Sequence, residues 1–207
     1  MNSRTAPVPR LGTLTCLVLD LDETLGHTWA TAGAAKKATQ KTLSSIGEMD
    51  KMYEFKLEGK TFWGLKRPYL SFFIPVCFSI FDIVGVWTAG DEDYAKEMVS
   101  ILFGDTQPHF VWARSQCTSS KGIYYKPLDK LFAAFPDLDR DNTLILDDRE
   151  DVAKYNPELI AVIPSFKPKS GTVLIYDRAL VSSVAFLRNA LASGKALRYV
   201  DKSSISW

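Results

Sequence analysis

The sequence predicts an α/β domain, a Rossmann-like parallel sheet flanked by helices, with a small β-hairpin insert. Three observations predict it. Short apolar runs recur without alternation, at Leu17-Val18-Leu19, Phe81 to Trp87 and Thr143 to Leu146. Such runs suit strands buried on both faces, as in a parallel sheet. Helical patterns separate them. Each run then hands a polar group to the chain as it leaves the core: Asp20 and Asp22, Thr88, and Asp147-Asp148. Ligands of open α/β sheets bind outside the carboxyl ends of the strands, so chemistry is expected at that edge.

In order, Thr13 to Asp20 is the first core strand. Thr28 to Asp50 is polar and rich in Ala, Lys and Thr, open between a mobile loop and a short helix around Ala34 to Leu43. Tyr53 to Leu57 alternates, Glu58-Gly59-Lys60 turns, and Thr61-Phe62-Trp63 follows, which reads as a hairpin. Pro68 suits the first turn of a helix through Tyr69, Leu70 and Phe73, and Pro75 is expected to end or kink it. Phe81 to Trp87 is the second core strand. Asp91 to Phe103 is a helix with acidic residues in its first turn, where the macrodipole favours them. Phe110 to Ala113 is a short strand, and Arg114 to Tyr125 is a loop or small hairpin that presents Lys126. Leu128 to Phe135 is helical, Thr143 to Leu146 is a strand, and Leu159 to Ile163 is the candidate last strand. Leu180, Val184, Leu187 and Leu191 recur at helical spacing and should dock a final helix on the sheet.

With 207 residues and 46% hydrophobic content, the chain suits one domain over residues 11–207, carrying an insert at about 28–66 and preceded by a loose arm at 1–10. The net charge of +1 excludes a whole-chain electrostatic funnel for nucleic acid. Cys16, Cys77 and Cys117 are odd in number and form no Cys-x-x-Cys pair, which suits an intracellular, reducing compartment such as nucleus or cytoplasm. Met1 to Arg10 shows no apolar segment of a signal peptide. Tyr69 to Trp87, the most apolar stretch, is broken by Pro75, Asp82 and Gly85, so no membrane span is expected.

Asp20 and Asp22 lie one residue apart at a strand end, where alternation lets both side chains reach one side. Carboxylates that close repel each other unless a cation or shared proton intervenes, and a divalent metal is the simplest resolution. Cysteine-based phosphatase chemistry is excluded, because no arginine follows a cysteine at the reach of a phosphate cradle. His27 and His109 are too few for a histidine-rich bimetal site.

The stretch Leu19-Asp20-Leu21-Asp22-Glu23-Thr24-Leu25 resembles motif I, Asp-x-Asp-x-Thr, of the haloacid dehalogenase superfamily. Its wording is closest to the branch of serine phosphatases that act on the C-terminal tail of RNA polymerase II, with their small relatives. Thr88, Lys126 and Asp147-Asp148 follow in the order of the other superfamily motifs. Lys66-Arg67-Pro68-Tyr69-Leu70, Arg114 to Cys117, Gly122, Tyr124 and Asn156 extend the resemblance from about Leu14 to Phe166.

The resemblance implies a haloacid-dehalogenase-like fold and a Mg²⁺-dependent phosphoprotein phosphatase. By it, Asp20 is the nucleophile that becomes an aspartyl phosphate, and Asp22 is the general acid and base. Mg²⁺ would be held by the Asp20 side chain, the Asp22 backbone carbonyl and Asp148, with Asp147 in or behind that shell. Thr88 and Lys126 would meet the phosphate, and Thr24 would serve the phosphate loop and its geometry. Asp147-Asp148 also fits a helix N-cap. The expected partner is a phosphorylated protein tail, with no direct nucleic-acid or membrane contact. A small-metabolite phosphatase of the same fold and a non-catalytic binding module are the competing readings. On the substrate side, Tyr53, Phe55, Phe62 and Trp63 of the hairpin exceed what two strands can bury, so Trp63 and Tyr94 are candidate pocket residues, with at least half of these rings expected in the core.

Overall fold

The structure, a computed structural model, describes residues 14–30, 34–168, 176–203, 205 and 207. The arm expected over residues 1–10 lies outside them. The elements in chain order are β1 (Cys16–Leu19), β2 (Gly26–Trp29), α1 (Ala34–Ser45), β3 (Met52–Leu57), β4 (Lys60–Lys66), α2 (Leu70–Ile80), β5 (Ile83–Trp87) and α3 (Glu92–Phe103). There follow β6 (Phe110–Trp112), β7 (Thr118–Ser120), β8 (Ile123–Tyr125), α4 (Leu128–Ala134), β9 (Thr143–Asp147), β10 (Ile160–Val162) and α5 (Ala179–Ala192).

The central sheet has five strands in the order β10-β9-β1-β5-β6, and all pairs are parallel. Both faces are covered, as the unalternating apolar runs required. Leu17, Leu19, Val84, Val86, Leu144 and Leu146 pack on one side with Phe73 and Cys77 of α2, Met98 of α3 and Leu180 and Leu187 of α5. Cys16, Val18, Ile145 and Ile160 pack on the other with Leu128 and Leu131 of α4. The chain leaves β1 for β5 and β6 on one side, then returns to β9 and β10 on the other. This reversal is the switch point where α/β sheets open a crevice. Register aligns the strand ends, since Leu19 pairs with both Val86 and Leu146.

The insert is a three-stranded antiparallel sheet, β2-β4-β3, rather than a two-stranded hairpin. Its β3–β4 turn is the two-residue loop Glu58-Gly59, with φ of 46° and 74°. Positive φ at both positions makes a primed turn, whose twist matches the flanking strands. The third strand, β2, pairs along β4 so that Trp29 faces Trp63. Of the two alternatives left open for the polar segment, a helix forms, over Ala34–Ser45. Leu43 anchors it against Leu65 and Phe166.

Pro75 does not end its helix, which runs on to Ile80. Proline costs a helix the bond to the carbonyl four residues back, here that of Ser71. Ser71 and Pro75 both face solvent, so water can satisfy that carbonyl while Leu70, Phe73, Ile74 and Cys77 hold the buried side. Among the described residues, no helix is long and apolar enough to cross a membrane.

Candidate active site

The site begins where β1 stops. The Asp20 amide still donates to Leu146 O at 3.0 Å, so Asp20 is fixed to the neighbouring strand. The chain then turns tightly. Leu25 N bonds Leu21 O at 2.8 Å, and Glu23 takes a left-handed φ of 59°. Thr24 Oγ1 accepts the amide of Asp148 at 3.1 Å, which ties this turn to the end of β9. Thr24 is fully buried, so its visible task is loop geometry.

Arg67 clamps the same turn from outside. Its side chain donates to Thr24 O at 3.1 Å and Pro164 O at 2.7 Å, and it pairs with Asp177 at 3.0 Å. Asp177, its acidic partner, is 110 residues away in the chain. Removing the guanidinium leaves a largely buried carboxylate and two carbonyls without their donor. Arg67→Ala is therefore expected to destabilise the domain by about 3 kcal/mol. Urea unfolding checks this as a lower midpoint at unchanged slope.

Lys126 joins two strand ends. Its ammonium contacts Asp20 Oδ1 and lies 2.7 Å from Asp147 Oδ2, and all three groups are buried. Asn156 holds the backbone on either side of the lysine: Oδ1 accepts Leu128 N at 2.9 Å, and Nδ2 donates to Lys126 O at 2.7 Å. Thr88 lies at the end of β5, buried, with its Oγ1 accepting Gly90 N at 3.0 Å. That bond leaves the hydroxyl proton available to an acceptor. Asp147 Oδ1 accepts Arg149 N at 3.0 Å, a local turn rather than a helix N-cap, because the short helical turn that follows starts at Glu150.

Oxygens of Asp20, Asp147 and Asp148 lie within 4.8 Å of one another. The Asp22 side chain stands apart from this group, and its Oδ1 accepts the Tyr94 hydroxyl. Burial raises the Asp20 carboxyl to about 8 against the pull of Lys126, with Asp147 adding to the rise. Burial also raises Asp22, opposed by the Tyr94 bond, and raises Asp148. Burial alone would lower Lys126, but Asp147 and Asp20 outweigh it and keep the ammonium charged. Three crowded carboxylates and one lysine leave room for further positive charge. Hard oxygen donors in this number suit a divalent cation such as Mg²⁺.

Beside Asp22 opens a cavity of about 490 Å³, lined by Leu57, Lys60, Phe62, Ala89, Tyr94 and Arg114 among others. Tyr94 lies in its wall. Trp63 does not, and the expectation for it is corrected. It is 1% exposed and stacks on Trp29 with ring centroids 4.2 Å apart, because the third strand β2 supplies a partner that a hairpin lacks. Phe62, the neighbour on the opposite face of β4, takes the place at the cavity.

The profile of the NLI interacting factor-like phosphatase family matches residues 15–198. The chain belongs to this family. A probable C-terminal domain small phosphatase of Dictyostelium discoideum is 29% identical over 161 residues, covering 77% of this chain and 46% of that protein. A carboxy-terminal domain RNA polymerase II polypeptide A small phosphatase 2 of Homo sapiens is 27% identical over 179 residues, covering 78% and 59%. The chain thus spans about half the length of the curated relatives it matches. The solved structure of Fcp1, an RNA polymerase II CTD phosphatase, superposes with a TM-score of 0.65 at 17% identity, over 87% of this chain and 63% of that one. The fold of this NLI interacting factor-like domain is the haloacid-dehalogenase-like one that the Asp-x-Asp-x-Thr segment implied.

Proposed function

We propose that this domain is a Mg²⁺-dependent phosphoserine or phosphothreonine phosphatase that works through an aspartyl phosphate on Asp20. The observation that carries the reading is the single lysine ammonium held by Asp20 and Asp147, with Asp148 beside them and Asp22 at an open cavity. Asp20 is buried and anchored at both its amide and its carboxylate, which suits a nucleophile that must meet phosphorus along one line. Lys126 and the Thr88 hydroxyl would answer the charge on the phosphoryl oxygens. Thr24 would set the loop that carries them. Asp22 would protonate the leaving alkoxide and then take a proton from the attacking water. Its raised pKa, from burial, favours the acid form needed first.

Asp20, Asp148 and the Asp22 backbone carbonyl, with Asp147 in or just behind the shell, would hold Mg²⁺. When bound, the cation supplies charge that lets a dianionic phosphate approach these carboxylates. Positioning and charge neutralisation supply most of the rate in phosphoryl transfer, and every group named here does one or the other.

The proposed substrate is phosphoserine in an extended, proline-containing tail such as that of RNA polymerase II, in nucleus or cytoplasm. The human relative is named a carboxy-terminal domain RNA polymerase II polypeptide A small phosphatase, and the Dictyostelium one a probable C-terminal domain small phosphatase. The cavity combines Phe62, Tyr94 and Leu57 with Arg114, a lining suited to proline-containing peptides that lose little entropy on binding. The insert is one small sheet and one helix, and the cavity beside Asp22 stays open to solvent. A small-metabolite phosphatase of this fold normally carries a larger cap that closes over the substrate and excludes water. A phosphoserine-proline peptide should show kcat/KM at least about tenfold above a matched phosphotyrosine peptide or a sugar phosphate. Activity should vanish with chelator and return with Mg²⁺. Preference for the sugar phosphate would favour the metabolite reading, and no hydrolysis of any ester would favour a binding module.

A further inference from the structure

The hydroxyl of Tyr94 does more than border the cavity. It bonds Asp22 Oδ1 and lies 3.0 Å from Thr28 Oγ1, which lies 2.8 Å from the Tyr53 hydroxyl. Each hydroxyl has one proton, and this fixes the direction of the chain. Tyr94 donates to Asp22 Oδ1 when the carboxyl is ionised, and equally when its proton is on Oδ2. The Tyr94–Thr28 bond must then be donated by Thr28, and the Thr28–Tyr53 bond by Tyr53. The other acceptors in reach are poorer: Met98 Sδ at 3.7 Å for Thr28, and His27 O at 3.2 Å for Tyr53. Three hydroxyls thus point one way and end on a single carboxylate oxygen. Bonds in such a series polarise one another.

The backbone is cleared for both rings. A Cβ on Gly64 would lie 2.2 Å from the Tyr53 ring, and one on Gly90 would lie 2.5 Å from Tyr94 Cδ1. The links come from separate parts of the fold: Tyr94 from α3, Thr28 from β2 and Tyr53 from β3. The insert therefore reaches the catalytic edge through its hydroxyls as well as through the cavity wall.

We propose that Tyr94 is a positioning residue for leaving-group protonation, holding Asp22 Oδ1 as an acceptor so that Oδ2 carries the proton to the departing serine oxygen. This rests on the phosphatase reading above. In the step concerned, an Asp20 oxygen bonds phosphorus and the bond from phosphorus to the serine oxygen breaks. The electron pair stays on that oxygen, which takes the proton from Asp22 Oδ2. Asp22 is left a carboxylate with Tyr94 still donating to Oδ1. A protein phosphoester leaves as an alkoxide and needs that proton, whereas a nitrophenolate leaves without it.

The test compares leaving-group release from a phosphoserine peptide and from p-nitrophenyl phosphate, with enzyme in excess so that later hydrolysis of the phosphoenzyme does not enter. Tyr94→Phe keeps the ring in the cavity wall and removes only the hydroxyl. It should slow release from the peptide about tenfold more than release of nitrophenol, at unchanged peptide affinity. Thr28→Val should show the same asymmetry, smaller in size, and covers the case of a Tyr94 variant with an altered melting curve. Equal losses on the two esters, or no loss on the peptide, would overturn the positioning role while leaving the phosphatase reading intact. A wild-type protein inert toward both esters would remove both.

Discussion

Asp20→Asn is expected to lower turnover by about 10⁴-fold or more and to leave the melting temperature within a few degrees of wild type. The amide fills the same volume at the end of β1 and keeps its backbone bond to Leu146. It cannot attack phosphorus as a carboxylate does. The stability terms oppose each other. One charge contact of Lys126 is lost, but the ammonium keeps Asp147 at 2.7 Å. The repulsion that Asp147 and Asp22 exert on Asp20 also disappears. Steady-state hydrolysis and a thermal melt on one preparation check both halves. Near wild-type activity with a normal melt would remove Asp20 from the nucleophile's role.

The second large effect separates lysine from metal. Lys126→Met keeps most of the buried volume and removes the charge. Turnover should fall about 10²–10³-fold even at saturating Mg²⁺, because the lost group answers phosphate charge. The concentration of Mg²⁺ giving half activity should not rise, since removing a cation leaves Asp20 and Asp147 more negative. Asp148→Ala should do the reverse. It takes one carboxylate from the group within 4.8 Å, and the half-saturating Mg²⁺ should rise about tenfold with a smaller loss at saturation. Superimposable metal titrations of the two variants would show that the two charges are not divided in this way.

The parallel sheet was legible because strands buried on both faces leave an unbroken apolar signature, seen in Leu17 to Leu19 and Leu144 to Leu146. The carboxylates of the edge were legible because they lie within a few residues of those strands. What escaped depends on partners distant in sequence. The strand β2 is four residues, Gly26–Trp29, with no period of its own, and it is a strand because β4 pairs with it. Trp63 looked like spare aromatic surface until that pairing brought Trp29 onto its ring. Tyr94 and Asp22 are 72 residues apart, and Arg67 and Asp177 are 110 apart. No local pattern joins either pair. That the helix continues past Pro75 was not legible for another reason: the cost of a proline depends on which face of the helix loses its bond, and one sequence position does not give that face.

The most direct measurement of the central claim is the chemical identity of the phosphoenzyme. An Asp22→Asn variant should hydrolyse the intermediate slowly, because the base that activates water is gone. Mixed with labelled p-nitrophenyl phosphate, whose leaving group needs no proton from Asp22, and Mg²⁺, then quenched in acid, it should carry label that hydroxylamine releases. Borohydride reduction and mass spectrometry should place that label on Asp20 alone. Label on any other residue, or peptide hydrolysed by wild-type protein with no phosphoenzyme under any quench, would contradict the assignment of Asp20 as the nucleophile.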